Sequence, residues 1–463
     1  MERFFLDTIG EYGERCALLS ESMHISYQEL DALAKDIVCQ IPSRSLVFCV
    51  CSNQVAAVAG YVGFLQKRIV PIMLSSSIDM ELFEHLYDVY RPAYLWCPSE
   101  FANHHGQEVF SCKEYRLYQT NEPTPPMDEE LALLLTTSGS TGSPKFVRQT
   151  YRNIEENTKS IVEYLAINGS ERAITTLPFN YTFGLSIIQT HLYTGASVVL
   201  TQHTIFDKSF WTMVKEEKVT NFGGVPYTFQ MLDRLRFLRM DLPDLRYVIQ
   251  AGGALGKTLH EKFATGLQEK GKRLVVMYGA TEATARMSYV PAERTIEKAG
   301  SIGIAIPGGR FAIMDVDGQE IREPDTVGEL IYYGANVTLG YAEDRDDLAK
   351  GDDRHGRLET GDMAKQDADG YYYVVGRKKR FLKLYGNRVN LMEVEQLLAQ
   401  AGYEAACVGE DDHMRIYTTS DHTEGVVRFL SEKLGIHAAA FTAIHIAEIP
   451  HNESGKVLYS ELK

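Results

Sequence analysis

The segment LLLTTSGSTGSPKFV, Leu133 to Val147, carries the decision about fold and chemistry. Its apolar start reads as a buried strand, and it breaks at once into hydroxyls and glycines before reaching Lys145. From Thr136 to Gly142 it holds five hydroxyl side chains and two glycines. A loop of that composition can close over a phosphate with hydroxyls and backbone N–H groups, while Lys145 adds a charge. In a hydrolytic P-loop the lysine directly follows a glycine. Here Lys145 follows Gly-Ser-Pro.

Outward from this loop, apolar strand-like runs alternate with helical patterns. SLVFCVCS precedes the small-residue helix NQVAAVAGYVGFLQKR, and IVPIML precedes SIDMELFEHLYDVYR. ASVVLT, YVIQAGG and RLVVMYG read as further buried strands, so the layers are α/β with parallel strands. QTNEPTPPMDEE, Gln119 to Glu130, is a polar, proline-rich surface connection. From Gly300 the texture changes to short strands and turns, a β-rich subdomain. Beyond Arg377 a basic segment leads into the helix NLMEVEQLLAQAG, two strands and the helix TEGVVRFLSEKLG. The expected architecture is a large N-terminal domain of layered α/β subdomains plus a β-rich subdomain, residues 1–376. A small, mobile C-terminal α/β domain follows, residues 377–463, with a hinge near 377–380.

The chain has 463 residues, enough for two or three domains. Its 47 basic and 62 acidic side chains give a net charge of −15, which argues against nucleic acid or an anionic membrane as main partner. No signal-peptide h-region or membrane span is apparent. Seven scattered cysteines suit a reducing compartment, most simply the cytosol, with Cys49 and Cys51 as strand core.

A second candidate for the nucleotide is AGGALGKT, Ala251 to Thr258, a relaxed Walker A pattern. It would make the chain a P-loop NTPase acting through Lys257. Its first position is Ala251 rather than glycine, and no strand ending in a magnesium-binding aspartate stands nearby.

TTSGSTGSPK resembles the phosphate loop of the adenylate-forming superfamily: acyl-CoA synthetases, peptide-synthetase adenylation domains and firefly luciferase. MYGATEAT (Met277–Thr284), GELIYYGANVTLGY (Gly328–Tyr341), the ETGDMAKQDADGYYYVVGRKKRFLKLYGNRVNLMEVE block and NESGKVLYSEL follow in that family's order. The resemblance implies an AMP-forming carboxylate ligase. It would use ATP and Mg2+ to turn a small carboxylic acid into an acyl-adenylate. The acyl group then passes to a thiol, CoA or the phosphopantetheine of an acyl carrier protein.

By the same resemblance Thr137, Ser138, Gly139, Ser140, Thr141, Gly142 and Lys145 cradle the phosphates. Glu282 is the magnesium ligand and Thr281 contacts the α-phosphate. Tyr278 and Gly279 meet adenine, with Gly252, Gly253 and Ala254 along its edge. Asp362 holds the ribose hydroxyls and Arg377 contacts ribose or phosphate. Lys456 is the cation of the adenylation half, and Lys379 the hinge. Tyr181, Phe183, Gly184, Phe222 and Tyr227 make the expected acid pocket aromatic, with Tyr181 where relatives often carry a gating histidine. Leu177 to Thr190 contains no acidic side chain to pair with a substrate ammonium, so an α-amino acid is disfavoured. Tyr459 stands where many relatives carry arginine, which leaves the acceptor open between CoA and a carrier.

Overall fold

The computed structural model of the chain describes residues 3–136, 145–378, 380–451 and 457–462. All six residues of the strand Leu46–Cys51 are buried, as a run without polar alternation requires. It pairs in parallel with Val70–Ser75 on one side and Tyr94–Pro98 on the other, and Cys49 and Cys51 are core positions as read. The following helix, Val55–Gln66, is buried over Val55 to Leu65. Its two glycines permit that packing: a Cβ on Gly60 would lie 2.4 Å from Trp96 Nε1, and one on Gly63 would lie 2.4 Å from the Ala34 carbonyl.

Val70–Ser75 pairs in parallel with β1 (Leu131–Thr136), the strand that enters the phosphate-loop segment. β1 turns back antiparallel onto β2 (Phe146–Thr150) within an eight-stranded sheet. α1 (Tyr151–Leu165) starts at once because Thr150 and Asn153 form a reciprocal cap, each side chain accepting from the other's backbone N–H at 3.0 and 2.9 Å.

A nine-stranded sheet carries the second layer. Its parallel centre includes β3 (Asn221–Gly224), β4 (Tyr247–Gln250) and β5 (Arg273–Tyr278). α2 (Thr182–Thr194) covers one face, and α3 (Pro226–Arg234) leaves β3 with proline in its first turn.

The β-rich subdomain is a five-stranded antiparallel sheet including β6 (Gly328–Tyr333). The block containing β6 does not stay in this sheet. Its last residues form β7 (Gly340–Ala342), which crosses to the eight-stranded sheet and pairs with β2, placing Tyr341 opposite Val147. β8 (Arg357–Gln366) and β9 (Tyr372–Arg377) then complete the five-stranded sheet.

Beyond 380 a hairpin, a three-stranded sheet and two helices enclose a core drawn from Leu382 to Phe441. Asn390 joins this small α/β part to β9: its Nδ2 donates to the Val375 carbonyl at 2.5 Å, and its Oδ1 caps α4 (Leu391–Gln400) through Met392 N at 3.0 Å. Among the described residues no helix is long and apolar enough to cross a membrane.

Candidate active site

β5 ends in Tyr278, and three sequence blocks meet around its exit. The Tyr278 hydroxyl donates to Asp362 Oδ2 at 2.5 Å. Asp362 is buried on β8, directly opposite Arg377 of β9 in antiparallel register, and Arg377 Nε lies 2.8 Å from its Oδ1. Burial first, and then the Asp362 carboxylate, push the Tyr278 phenol well above its ordinary range. The phenol therefore stays protonated and acts as a donor. A carboxylate offers about four lone-pair sites, the acceptor chemistry that a cis-diol needs.

After Tyr278 the chain makes the short turn Thr281–Ala283. The backbone carbonyl of Glu282 accepts from Thr338 N and Oγ1, both at 3.0 Å, and from Arg354 Nη1 at 3.2 Å. Its carboxylate accepts from the Tyr341 hydroxyl at 2.7 Å. That phenol is pushed up to about 12, mainly by burial and next by the Glu282 charge, so it too remains a donor. Lys145 Nζ lies 5.7 Å from the Tyr341 ring centroid and pairs with Glu343 Oε1 at 2.5 Å, while Arg354 sits 4.6 Å from the same ring. The crossing of β7 thus puts the lysine after the phosphate loop and the carboxylate of the Thr-Glu turn on one tyrosine. Among the described residues no three His, Cys, Asp or Glu side chains gather as a metal cage. Glu282 with phosphate and water is a donor set that fits magnesium, which commonly takes one or two carboxylates.

Two buried asparagines pin this turn and a third holds the segment beside it, and the sequence reading did not single them out. Asn336 Nδ2 donates to the carbonyls of Ala283 and Arg286 at 2.8 and 3.1 Å. Asn157 Nδ2 reaches the Arg286 carbonyl at 2.8 Å, and Asn153 Nδ2 binds those of Ala335 and Val337 at 2.8 and 2.9 Å. Tyr341, Glu343 and Arg354 were missed too. The only sequence signal for them was their place in or just after the Gly-Glu-Leu block.

The expected acid pocket divides. Tyr181 and Phe183 share one apolar cluster, ring centroids 6.4 Å apart, on the α2 face of the nine-stranded sheet. Phe222 does not join them. Side chains alternate along β3, so Phe222 packs on the opposite face against Trp211 and Phe237. Gly184 is a packing glycine, since a Cβ there would lie 2.4 Å from the Pro178 carbonyl. Tyr227 is 40% exposed and meets His451 ring to ring at 5.5 Å. His451 also bridges Val457.

Gly252, at φ 83°, and Gly253 follow β4. A Cβ on Gly252 would lie 2.9 Å from the Tyr181 hydroxyl, so this turn borders the Tyr181 side of the site. Ala254 follows on the same turn. Lys257 begins the next helix with its side chain 71% exposed, as a solvated helix residue would. Thr281 is buried beside Glu282, and Gly279 packs against the Ala285 carbonyl. Thr137, Ser138, Gly139, Ser140, Thr141, Gly142, Lys379 and Lys456 lie outside the described residues.

Residues 5–342 match the family model described as AMP-binding enzyme. The chain belongs to that family, the adenylate-forming superfamily its motifs resemble. Indoleacetate–CoA ligase of Aromatoleum aromaticum is 29% identical over 346 residues, 72% of this chain and 66% of the relative. Oxalate–CoA ligase of Arabidopsis thaliana is 32% identical over 272 residues, 58% of this chain and 52% of the relative. The matched part therefore spans about half to two thirds of these relatives' length. Among solved structures, o-succinylbenzoate CoA synthetase from Bacillus subtilis, in complex with its acyl-adenylate intermediate, superposes with a TM-score of 0.82 at 24% identity. That match covers 100% of this chain and 98% of the other, and it fixes the fold.

Proposed function

We propose that this chain is an AMP-forming acid–thiol ligase. One carboxylate oxygen of the acid attacks the α-phosphorus of ATP, the bond to the bridging oxygen breaks, and pyrophosphate leaves. A thiolate then attacks the acyl carbon of the acyl-adenylate, and AMP leaves. The observation that supports this reading is the convergence of Asp362 and Glu282, from two distant blocks, on the exit of β5. The family match and the CoA ligases among the relatives support it as well and favour CoA as the thiol.

In this reading Asp362, steadied by Arg377 and Tyr278, takes the ribose diol, and Tyr278 offers its ring to adenine beside Gly252, Gly253 and Ala254. Lys145 and Thr281 serve the phosphates with the loop residues Thr137 to Gly142. Glu282, oriented by Tyr341, would hold Mg2+, which neutralises phosphate charge when bound. Tyr181 and Phe183 border the acid. Lys456 supplies the cation for the first half-reaction. The domain boundary falls at 376/377 with Lys379 as pivot, so that the small domain turns between the halves. All seven cysteines are free thiols, which fits a cytosolic site of action.

Carboxylate-dependent ATP–pyrophosphate exchange without a thiol tests the reading. Exchange with one class of acid is the expected result, lost in Asp362→Ala. Release of ADP and orthophosphate, abolished by Lys257→Ala, would instead establish the NTPase alternative.

A further inference from the structure

Arg286 is 2% exposed and is not used by the acid-activation chemistry just described. The chain reaches it through Thr284 at φ 54° and Ala285 at φ 103°, two non-glycine residues in the left-handed region. Such residues are strained and persist where the surroundings enforce them. Here they are enforced by Gly279, whose Cβ would lie 1.7 Å from the Ala285 carbonyl oxygen, and by the asparagines holding the Arg286 carbonyl. The guanidinium carbon sits 5.1 Å from the Phe183 ring centroid. Nη2 donates to Ser186 Oγ at 3.1 Å, and Nη1 to Tyr164 Oη at 3.4 Å and Met277 Sδ at 3.2 Å. None of these acceptors is charged, and among the described residues Nε has no partner. Glu171, whose charge opposes that of Arg286 at His191, is already held by Arg246, Thr220 and Asn221.

A guanidinium carries five N–H donors. The two hydroxyls and the thioether take three at most, leaving the Nε hydrogen and one on Nη2 without an acceptor among the described residues. Removing such a cation from water without a counter-charge is costly, and an aromatic face offsets only part of that cost. A packed Met or Leu would fill the same volume without that penalty. Nε, with the second hydrogen of Nη2, is the pair that can receive an oxyanion in bidentate fashion. Its surroundings are those of the acid pocket. Phe183 lies beneath the guanidinium, and Tyr181 connects Phe183 to Gly252 on the nucleotide side. Tyr247, in the same apolar cluster as Phe183, also buries a hydroxyl with no partner among the described residues.

We propose that Arg286 is a specificity-determining residue that receives a second oxyanion, carboxylate or sulfonate, on the tail of the acid being activated. The proposal rests on the acid-ligase reading and adds its substrate class.

The test uses the full chain and ATP–pyrophosphate exchange with acids paired by length. Each alkyl or aryl monoacid is matched to one ending in a second carboxylate or a sulfonate. In the wild type the second anion should raise kcat/KM about 10²-fold or more, since a site built to bond a polar group rejects the analogue lacking it. Arg286→Met should collapse that ratio to near one, chiefly through KM for the diacid. Arg286→Lys should keep part of it, as a point charge without the fork. Thermal melting of each variant separates misfolding from lost recognition, and if the Met variant does not fold, the wild-type ratio and the Lys variant decide. Wild-type preference for monoacids, or an equal fall for both classes in Arg286→Met, would overturn the proposal and leave the ligase reading standing. Silence with every acid would overturn both.

Discussion

The imidazole of His191 is buried on α2, with Nδ1 2.8 Å from the Ile187 carbonyl oxygen and Nε2 3.2 Å from Asn221 Nδ2. One ring nitrogen donating and the other accepting is the pattern of a neutral imidazole. Burial lowers its pKa to about 4. The Ile187 carbonyl and Glu171 oppose that shift, and Arg286 adds to it. An unfolded histidine takes up its proton near 6.5, so between about 6.5 and 4 the unfolded chain binds the extra proton and the folded chain does not. Stability contributed by the neutral ring is therefore complete above about pH 6.5 and is lost as pH falls toward 4. Each unit is worth about 1.4 kcal/mol, or on the order of 3 kcal/mol across the window. His260, also lowered by burial, acts in the same direction. Urea melts of wild type and His191→Gln should show the wild type losing about 3 kcal/mol relative to the variant between pH 7 and 4. Parallel pH profiles would mean that His191 is protonated in the folded protein.

Between residue and molecule stands the turn that carries Thr281, Glu282 and Arg286, and Gly279 decides its shape. A Cβ on Gly279 would meet backbone, not a flexible side-chain tip, so no rotamer change relieves the clash. Gly279→Ala should cost about 3 kcal/mol or more in urea melts and cut pyrophosphate exchange about 10²-fold, because Glu282 moves with the turn. Gly351→Ala, with open space at its Cβ, should stay within about 0.5 kcal/mol. A Gly279→Ala protein as stable and active as the wild type would show that the turn yields. The strands around this turn were legible because parallel strands buried on both faces leave continuous apolar runs, as in Leu46–Cys51 and β5. The glycines of MYGATEAT were legible as a motif, and their partner, the Ala285 carbonyl, was not. The sequence did not reveal which face of β3 each aromatic takes, because one residue of register sends Phe222 to the other side. Nor did it reveal the crossing of β7, or Asn153, Asn157, Asn336 and Arg286. Their partners are backbone carbonyls or aromatic rings far along the chain, and nothing local distinguishes a buried asparagine from an exposed one.

At the scale of the molecule, the two halves of the proposed reaction would make opposite demands on the small C-terminal part. Adenylation needs a cation between the two anions that react, and thioester formation needs room for a thiol to reach the acyl carbon. Described residues place His451 of the C-terminal segment against Tyr227, at the start of α3. Arg380 pairs with Glu395 at 2.8 Å and lies 4.0 Å from the Tyr459 ring, whose hydroxyl also reaches Glu395 at 3.2 Å. Tyr459 thus ties the last turn of the chain to Arg380 and α4. A rotation about Lys379 would then carry Arg380, α4 and Tyr459 together. If so, the two half-reactions separate genetically. Lys456→Ala should lower acyl-adenylate formation about 10²–10³-fold, the loss expected for one transition-state cation. It should still convert a supplied acyl-adenylate to the CoA thioester at close to the wild-type rate. Lys379→Pro, which fixes φ at the pivot, should do the reverse: exchange persists, and the thioester step falls by a comparable factor. Single-turnover measurements of both steps in both variants decide the matter. Equal losses in both steps for both variants would mean that one arrangement of the small domain serves the whole reaction.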